Sequence, residues 1–156
     1  MPDQMTLREV LEEAIKKEMM SRFLYISLRQ RVKNKASKDA FQCLAEQEEV
    51  HQSILEEYLG GDLKQGSLNT DTVVDYQIAE HLDQSEISPT MEIKDVFALA
   101  AKKEKAAHDL YSDLAAMHPD GQVRNMLETL AAQEMQHKHN IESLYNEVAF
   151  PQTDGG

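Results

Sequence analysis

A chain of 156 residues, 41% apolar and 28% charged, has the length and balance of one soluble globular domain rather than a disordered segment. Asp and Glu number 28 against 16 Lys and Arg, and a net charge of −12 argues against nucleic acid or an anionic membrane as partner. A single cysteine, Cys43, excludes an intramolecular disulfide framework and any paired-thiolate metal site. No run approaches the ~20 apolar residues of a membrane span, and the first residues lack a basic-then-apolar leader, so a cytoplasmic protein is expected.

The first helix is expected to start at Thr6, where Thr6-Leu-Arg-Glu9 has the form of a capping box. Apolar and small residues then recur in steps of three and four at Leu7, Leu11, Ala14, Ser21, Tyr25, Leu28 and Val32. Glu18 falls in the gap of that series, where a core residue belongs. The pattern fades near Asn34-Lys35, and Ser37 is a candidate cap for a second helix. The seam of that helix is Phe41, Leu44, Glu48, His51, Leu55 and Tyr58, and Gly60-Gly61 ends it.

Residues 60–90 form a long connection, of the length that suits a crossover along a helical bundle. Within it, residues 71–83 carry Val74, Ile78 and Leu82 on one stripe and are expected to form a short amphipathic helix. Ser88-Pro89 is expected to introduce the next long helix, whose seam is Ile93, Phe97, Ala100, Glu104, Ala107, Tyr111 and Leu114. His118-Pro119-Asp120-Gly121 is a turn. The last long helix carries Leu127, Leu130, Glu134, His137, Ile141 and Leu144 and stops before Pro151, leaving 151–156 as a loose tail. The expectation is therefore one all-α domain over 1–150, a four-helix bundle with a single long crossover between its second and third long helices.

The two halves repeat. Glu48-x-x-His51 and Glu134-x-x-His137 are offset by 86 positions (134 − 48 = 86), and the same offset relates Lys16-Lys17-Glu18 with Tyr25 to Lys102-Lys103-Glu104 with Tyr111. Residues three apart share a helix face, so each Glu-x-x-His aims a carboxylate and an imidazole the same way. Most glutamates of such a chain face water, as expected for Glu12, Glu13, Glu46, Glu49, Glu56 and Glu57. Glu18, Glu48, His51, Glu104, Glu134 and His137 differ because all six fall on apolar seams, at matching heights. Four carboxylates facing one another inside a bundle would each lose several kcal/mol of hydration. Two divalent cations balance their four charges, and two neutral imidazoles complete the donor set. A lone Glu on each of two helices and a Glu-x-x-His on the other two is the known pattern of di-iron carboxylate bundles.

On these residues the chain resembles the ferritin-like superfamily, and within it the rubrerythrin group, over nearly its whole length. The resemblance implies that Glu48 and Glu134 bridge two metals, that Glu18 and Glu104 are terminal ligands, and that His51 and His137 serve one metal each. Two departures stand out. Rubrerythrins proper carry a four-cysteine rubredoxin-type iron site, and this chain has only Cys43. They also place a further Glu one turn after the lone Glu of the third bundle helix, where this chain has Ala107. The implied cofactor is a pair of iron ions, with manganese or a mixed pair also suited to carboxylate and imidazole ligands.

Tyr25 and Tyr111, two turns from Glu18 and Glu104, are expected either to hydrogen-bond the ligand carboxylates or simply to pack. His108, four residues after Glu104, is read either as approaching the metals or as a helix-surface histidine. His81, His118 and His139 are expected in solvent, and Cys43 as a small buried residue. The resemblance implies a di-iron oxidoreductase that reduces peroxide or dioxygen with electrons from a separate donor protein, and a homodimer. The alternatives are a ferroxidase that handles iron, and a non-catalytic bundle held by its metals for a partner.

Overall fold

The computed structural model describes residues 4–82, 87–88 and 90–149. Pro89 and the tail at 151–156, to which the sequence assigned a helix start and a loose end, lie outside them. Among the described residues the chain is helical: α1 (Leu7–Arg31), α2 (Lys35–Leu59), the short α3 (Tyr76–Ala79) continued by a 3-10 turn at Glu80–Leu82, α4 (Ile93–Met117) and α5 (Gln122–Ala149). The close pairs are α1 with α2 and α4 with α5, each joined by a short turn. No helix is long and apolar enough to cross a membrane among the described residues.

Helix α1 begins as the sequence predicts. The Thr6 hydroxyl accepts from the Glu9 amide at 3.3 Å, and the Glu9 carboxylate accepts from the Thr6 amide at 3.2 Å. Its next free amides, Leu7 and Arg8, donate to the Thr72 and Thr70 carbonyls of the crossover. The crossover thus finishes the cap of the first helix, and Val74 is buried beneath it.

Three boundaries differ from the sequence expectation. Asn34, not Ser37, caps α2: its carboxamide oxygen accepts from the Ala36 amide at 2.7 Å and the Ser37 amide at 3.3 Å. Ser37 is instead buried in the first turn. The short helix starts only at Tyr76 because Asp75 caps it on the Gln77 amide at 2.8 Å, leaving 72–74 outside it beside the start of α1. Helix α4 starts after Glu92, since Ser88 is taken up in a turn of its own with Thr90 and Met91. Past α2, Gly61 takes a φ of +86°, a left-handed conformation that glycine adopts without steric cost.

The core forms two apolar clusters. One gathers Leu7, Leu11 and Ala14 of α1, Leu55 and Tyr58 of α2, Leu110 and Leu114 of α4, and Leu127 and Leu130 of α5. The other gathers Tyr25 and Leu28, Phe41 and Leu44, Val96 and Phe97, and Ile141 and Leu144 of the same four helices. On every helix the seam glutamate falls between the two clusters: 18 between 14 and 25, 48 between 44 and 55, 104 between 97 and 110, 134 between 130 and 141. A polar layer is therefore held between two hydrocarbon ones.

His118 corrects an expectation. It is buried, not solvated. Its Nδ1–H donates to the Leu114 carbonyl at 2.6 Å, so its bare Nε2 accepts from the Tyr58 hydroxyl at 2.5 Å. That hydroxyl in turn accepts from the Leu68 amide at 3.3 Å, tying α2, the crossover and the end of α4 together. Burial pushes the imidazole below its ordinary range, against a smaller opposing pull from the Leu114 carbonyl. A lowered folded pKa means the unfolded chain takes the proton first. The contribution is then complete above about pH 6.5 and is lost as pH falls below it. Replacing His118 by Leu leaves the Tyr58 hydroxyl without its acceptor and is expected to cost about 1–3 kcal/mol at pH 7.5. The gap between variant and wild type should shrink at pH 5.5, which urea denaturation at the two pH values measures.

Candidate metal centre

The six seam residues converge. Glu18, Glu48, His51, Glu104, Glu134 and His137 are each 3% exposed or less, and all stand in the polar layer. One oxygen or nitrogen from each of Glu18, Glu48, His51 and Glu134 lies within 4.8 Å of the others, and the same holds for Glu48, Glu104, Glu134 and His137. The two groups share Glu48 and Glu134. Each adds one lone glutamate and one histidine, and the 86-residue repeat maps one group onto the other.

The histidines show what the centre needs. Each Nε2 meets a side-chain amide oxygen, His51 on Gln133 Oε1 at 2.6 Å and His137 on Gln47 Oε1 at 2.5 Å. An amide oxygen only accepts, so Nε2 carries the hydrogen and a neutral ring turns a bare Nδ1 inward. There Nδ1 of His51 lies 2.8 Å from Glu134 Oε1, and Nδ1 of His137 lies 2.8 Å from Glu48 Oε1. Glu18 Oε2, Glu48 Oε1, Glu104 Oε2 and His137 Nδ1 have no hydrogen-bond partner among the described residues. Acceptors facing acceptors in a dry interior call for positive charge between them. The donor set, carboxylate oxygens with imidazole nitrogens, suits iron or manganese.

Ionisation tells the same story in protons. Burial pushes the Glu48 carboxyl well above the carboxylate range, and the charges of Glu18 and Glu104 push it further. Glu134 is raised in the same way, by burial and then by Glu104, Glu18 and Glu48. Glu18 moves the other way. Burial opposes its charge, but the neighbouring Glu48 and His51 and the Tyr111 hydroxyl together outweigh burial and lower it. Burial also disfavours a charged His51, yet the nearby Glu18 carboxylate prevails and raises it.

The tyrosines do reach ligand carboxylates, but across the bundle. Tyr25 of α1 donates to Glu104 of α4, and Tyr111 of α4 donates to Glu18 of α1 at 2.5 Å. Burial and the surrounding carboxylates raise both phenols well above their ordinary range, so they remain donors. His108 is not in either group. It is half-buried, with Nδ1 bonded to the Ala131 carbonyl at 2.8 Å, which fastens α4 to α5 one turn before Glu134. His81 is partly covered and meets Asp113 at 2.9 Å, while His139 is exposed as expected. Cys43 is exposed rather than buried, with its sulfur accepting from the Gln47 amide at 3.5 Å.

Gln47 and Gln133 belong to the candidate site through their contacts with the histidines, and sequence reasoning missed them. Their signal was present: each directly precedes a Glu-x-x-His, at the same 86-residue offset. Replacing Gln133 or Gln47 by Leu frees the ring of His51 or His137 to rotate, and is expected to weaken metal affinity by about 10–100-fold. Competition with a coloured chelator measures this.

The comparisons agree with the geometry. No curated protein sequence matches the chain. Among solved structures, a protein described as a ferritin-like diiron-carboxylate protein, from Thermotoga maritima, has the same fold. Its TM-score is 0.73 at 21% identity, over 95% of this chain and 99% of that one. The family model for rubrerythrin matches residues 9–145, a span that covers α2 and α4 whole, most of α1 and α5, both Glu-x-x-His pairs and both lone glutamates. The chain belongs to the rubrerythrin family.

Proposed function

We propose that this chain is a non-haem di-iron oxidoreductase that reduces peroxide or dioxygen with electrons from a separate donor protein. The observation that carries the reading is the set of buried, partnerless acceptor atoms on Glu18, Glu48, Glu104 and His137, grouped around two positions that share Glu48 and Glu134. Glu18 and His51 would complete one metal position, Glu104 and His137 the other. When bound, two iron ions supply two electrons at one place, as cleavage of an O–O bond requires.

The protein's own groups prepare that place. Glu48 and Glu134, raised by burial and by their neighbours' charge, would hold the metals as anionic carboxylates, which requires them to release their protons. The Tyr25 and Tyr111 hydroxyls orient Glu104 and Glu18 without surrendering their protons. Gln47 and Gln133 fix the histidine tautomers from the α2–α5 side. The two hydrocarbon clusters exclude bulk water above and below.

With only Cys43, this chain supplies no thiolate iron site of its own, which favours an external electron donor. The reading is tested by mixing the anaerobic Fe(II)-loaded protein with peroxide or with dioxygen in a stopped-flow spectrometer. Oxidation faster with peroxide is expected. Repeated turnover of added Fe(II), with iron released as product, would make the protein a ferroxidase instead.

A further inference from the structure

A cavity of about 690 Å³ opens between α1 and α4. It touches Glu18, Glu48, Glu104 and Glu134, but neither His51 nor His137. The centre therefore has two unlike sides: a histidine side closed by α2, α5 and the two glutamines, and a carboxylate side facing a void. The void exists because the residues beside the lone glutamates are small, Ala14 and Ser21 on α1 and Ala107 on α4.

Its dimensions do not suit peroxide. A water molecule's share of liquid volume is ~30 Å³, and peroxide is little larger, whereas pockets for organic ligands span ~300–1,000 Å³. The lining runs along α1 from Ala14 to Arg31, about 25 Å at the helical rise. That length suits an extended ligand such as an alkyl chain better than a compact one. Toward the Arg31 end the walls are Leu24, Val96 and Ile87 with Ser27 and Ser88 among them, and Met20 and Phe23 lie exposed on the rim.

Charge fixes the other half of the ligand. Among the described residues, every acidic side chain that lines the cavity is one of the four glutamates of the centre. Arg31 stands at the far end, its guanidinium exposed and engaged by one hydrogen bond to the Met91 carbonyl at 3.3 Å. Lys17 and Lys103 also line the cavity, each next in sequence to one of the glutamates Glu18 and Glu104, whereas Arg31 is set at the end away from those carboxylates.

We propose that the α1–α4 cavity binds a long-chain aliphatic carboxylate, its head group at Arg31 and its hydrocarbon chain running along α1 toward Glu18 and Glu104. The site is independent of the redox reading, because binding needs no electron transfer. It leaves the carboxylate face of the centre lined by a hydrocarbon chain rather than water.

The test is equilibrium binding of radiolabelled palmitate to the purified chain loaded with zinc, which has no redox chemistry. Saturation at one palmitate per chain is expected, with acetate failing to compete. Arg31→Glu, at an exposed position that cannot disturb the core, should weaken palmitate about tenfold while leaving hexadecanol binding unchanged. Ala107→Phe fills the inner end and should weaken both ligands by about tenfold or more, at unchanged metal content and circular dichroism. Absence of saturable binding to the wild-type chain, or palmitate binding indifferent to both substitutions, would overturn the proposal.

Discussion

Replacing Glu48 or Glu134 by alanine is expected to reduce bound metal from about two ions per chain to less than one after desalting, as metal analysis by mass spectrometry reads. Each of these glutamates is common to both four-residue groups, so its loss takes a ligand from both positions at once. Glu18 and Glu104 each belong to one group. Glu18→Ala or Glu104→Ala should therefore empty one position and spare the other. The graded pattern is the point: shared residues cost two ions, unshared residues one. Full metal content in Glu48→Ala and Glu134→Ala would show that these carboxylates do not bridge.

The same substitutions should behave differently without metal. Burial and its neighbours' charges favour an uncharged Glu48 in the metal-free fold, and glutamine keeps its shape without the charge that rising pH would force on it. Metal-free Glu48→Gln should therefore melt no lower than the metal-free wild-type chain. Loss of metal and loss of fold are thus separable in one pair of variants.

Chelation is the second large effect. Each ion present at ~100–1,000 times its dissociation constant adds about 3–4 kcal/mol to stability, provided the unfolded chain binds it poorly. Two ions give about 5–8 kcal/mol, and a chain of this size shifts by about 2–4 °C per kcal/mol. Removing the metal should lower the midpoint of thermal unfolding by about 10–30 °C. The gap should also widen with pH. Glu48 and Glu134 have folded pKa values raised by burial and by their neighbours' charges. Their contribution to the metal-free fold is complete below the ordinary carboxylate range and is lost as pH rises through the raised values. The metal-loaded form gains over the same window, because its ligands must be deprotonated. Glu18, with its pKa lowered, acts only in the acid range, while His51, raised by Glu18 against burial, acts with the same sign as Glu48 and Glu134. Calorimetric scans of loaded and chelated protein between pH 6 and pH 8 check the sign.

Much of this was legible in the sequence for a definite reason. A carboxylate on an apolar seam is a contradiction that local pattern exposes, and the 86-residue repeat showed the contradiction four times over. The capping box at Thr6 and the stop at Gly60 are likewise local chemistry. What was not legible depends on a second helix. Helical periodicity says that Tyr25 shares a face with Glu18, yet its hydroxyl crosses to Glu104, because a side chain two turns along its own helix is out of reach. Gln47 and Gln133 lie just off the seam and look like surface residues until the facing histidine is in place. His118 sits in a Pro-Gly turn, the usual setting of a solvated residue, and only the folded crossover brings Tyr58 and Leu68 to the same spot. Cys43 was misplaced for the converse reason: its position next to the seam turns it outward along α2, where it is exposed beside Gln47.

The central claim is that the acceptor atoms crowded between the two hydrocarbon layers exist to hold a pair of cations. Anaerobic titration of the metal-free chain with Fe(II), followed by equilibrium dialysis, tests it most directly. Binding should saturate at about two ions per chain and release protons as it does so. Saturation with no stoichiometric iron, or uptake that proceeds without proton release, would contradict it.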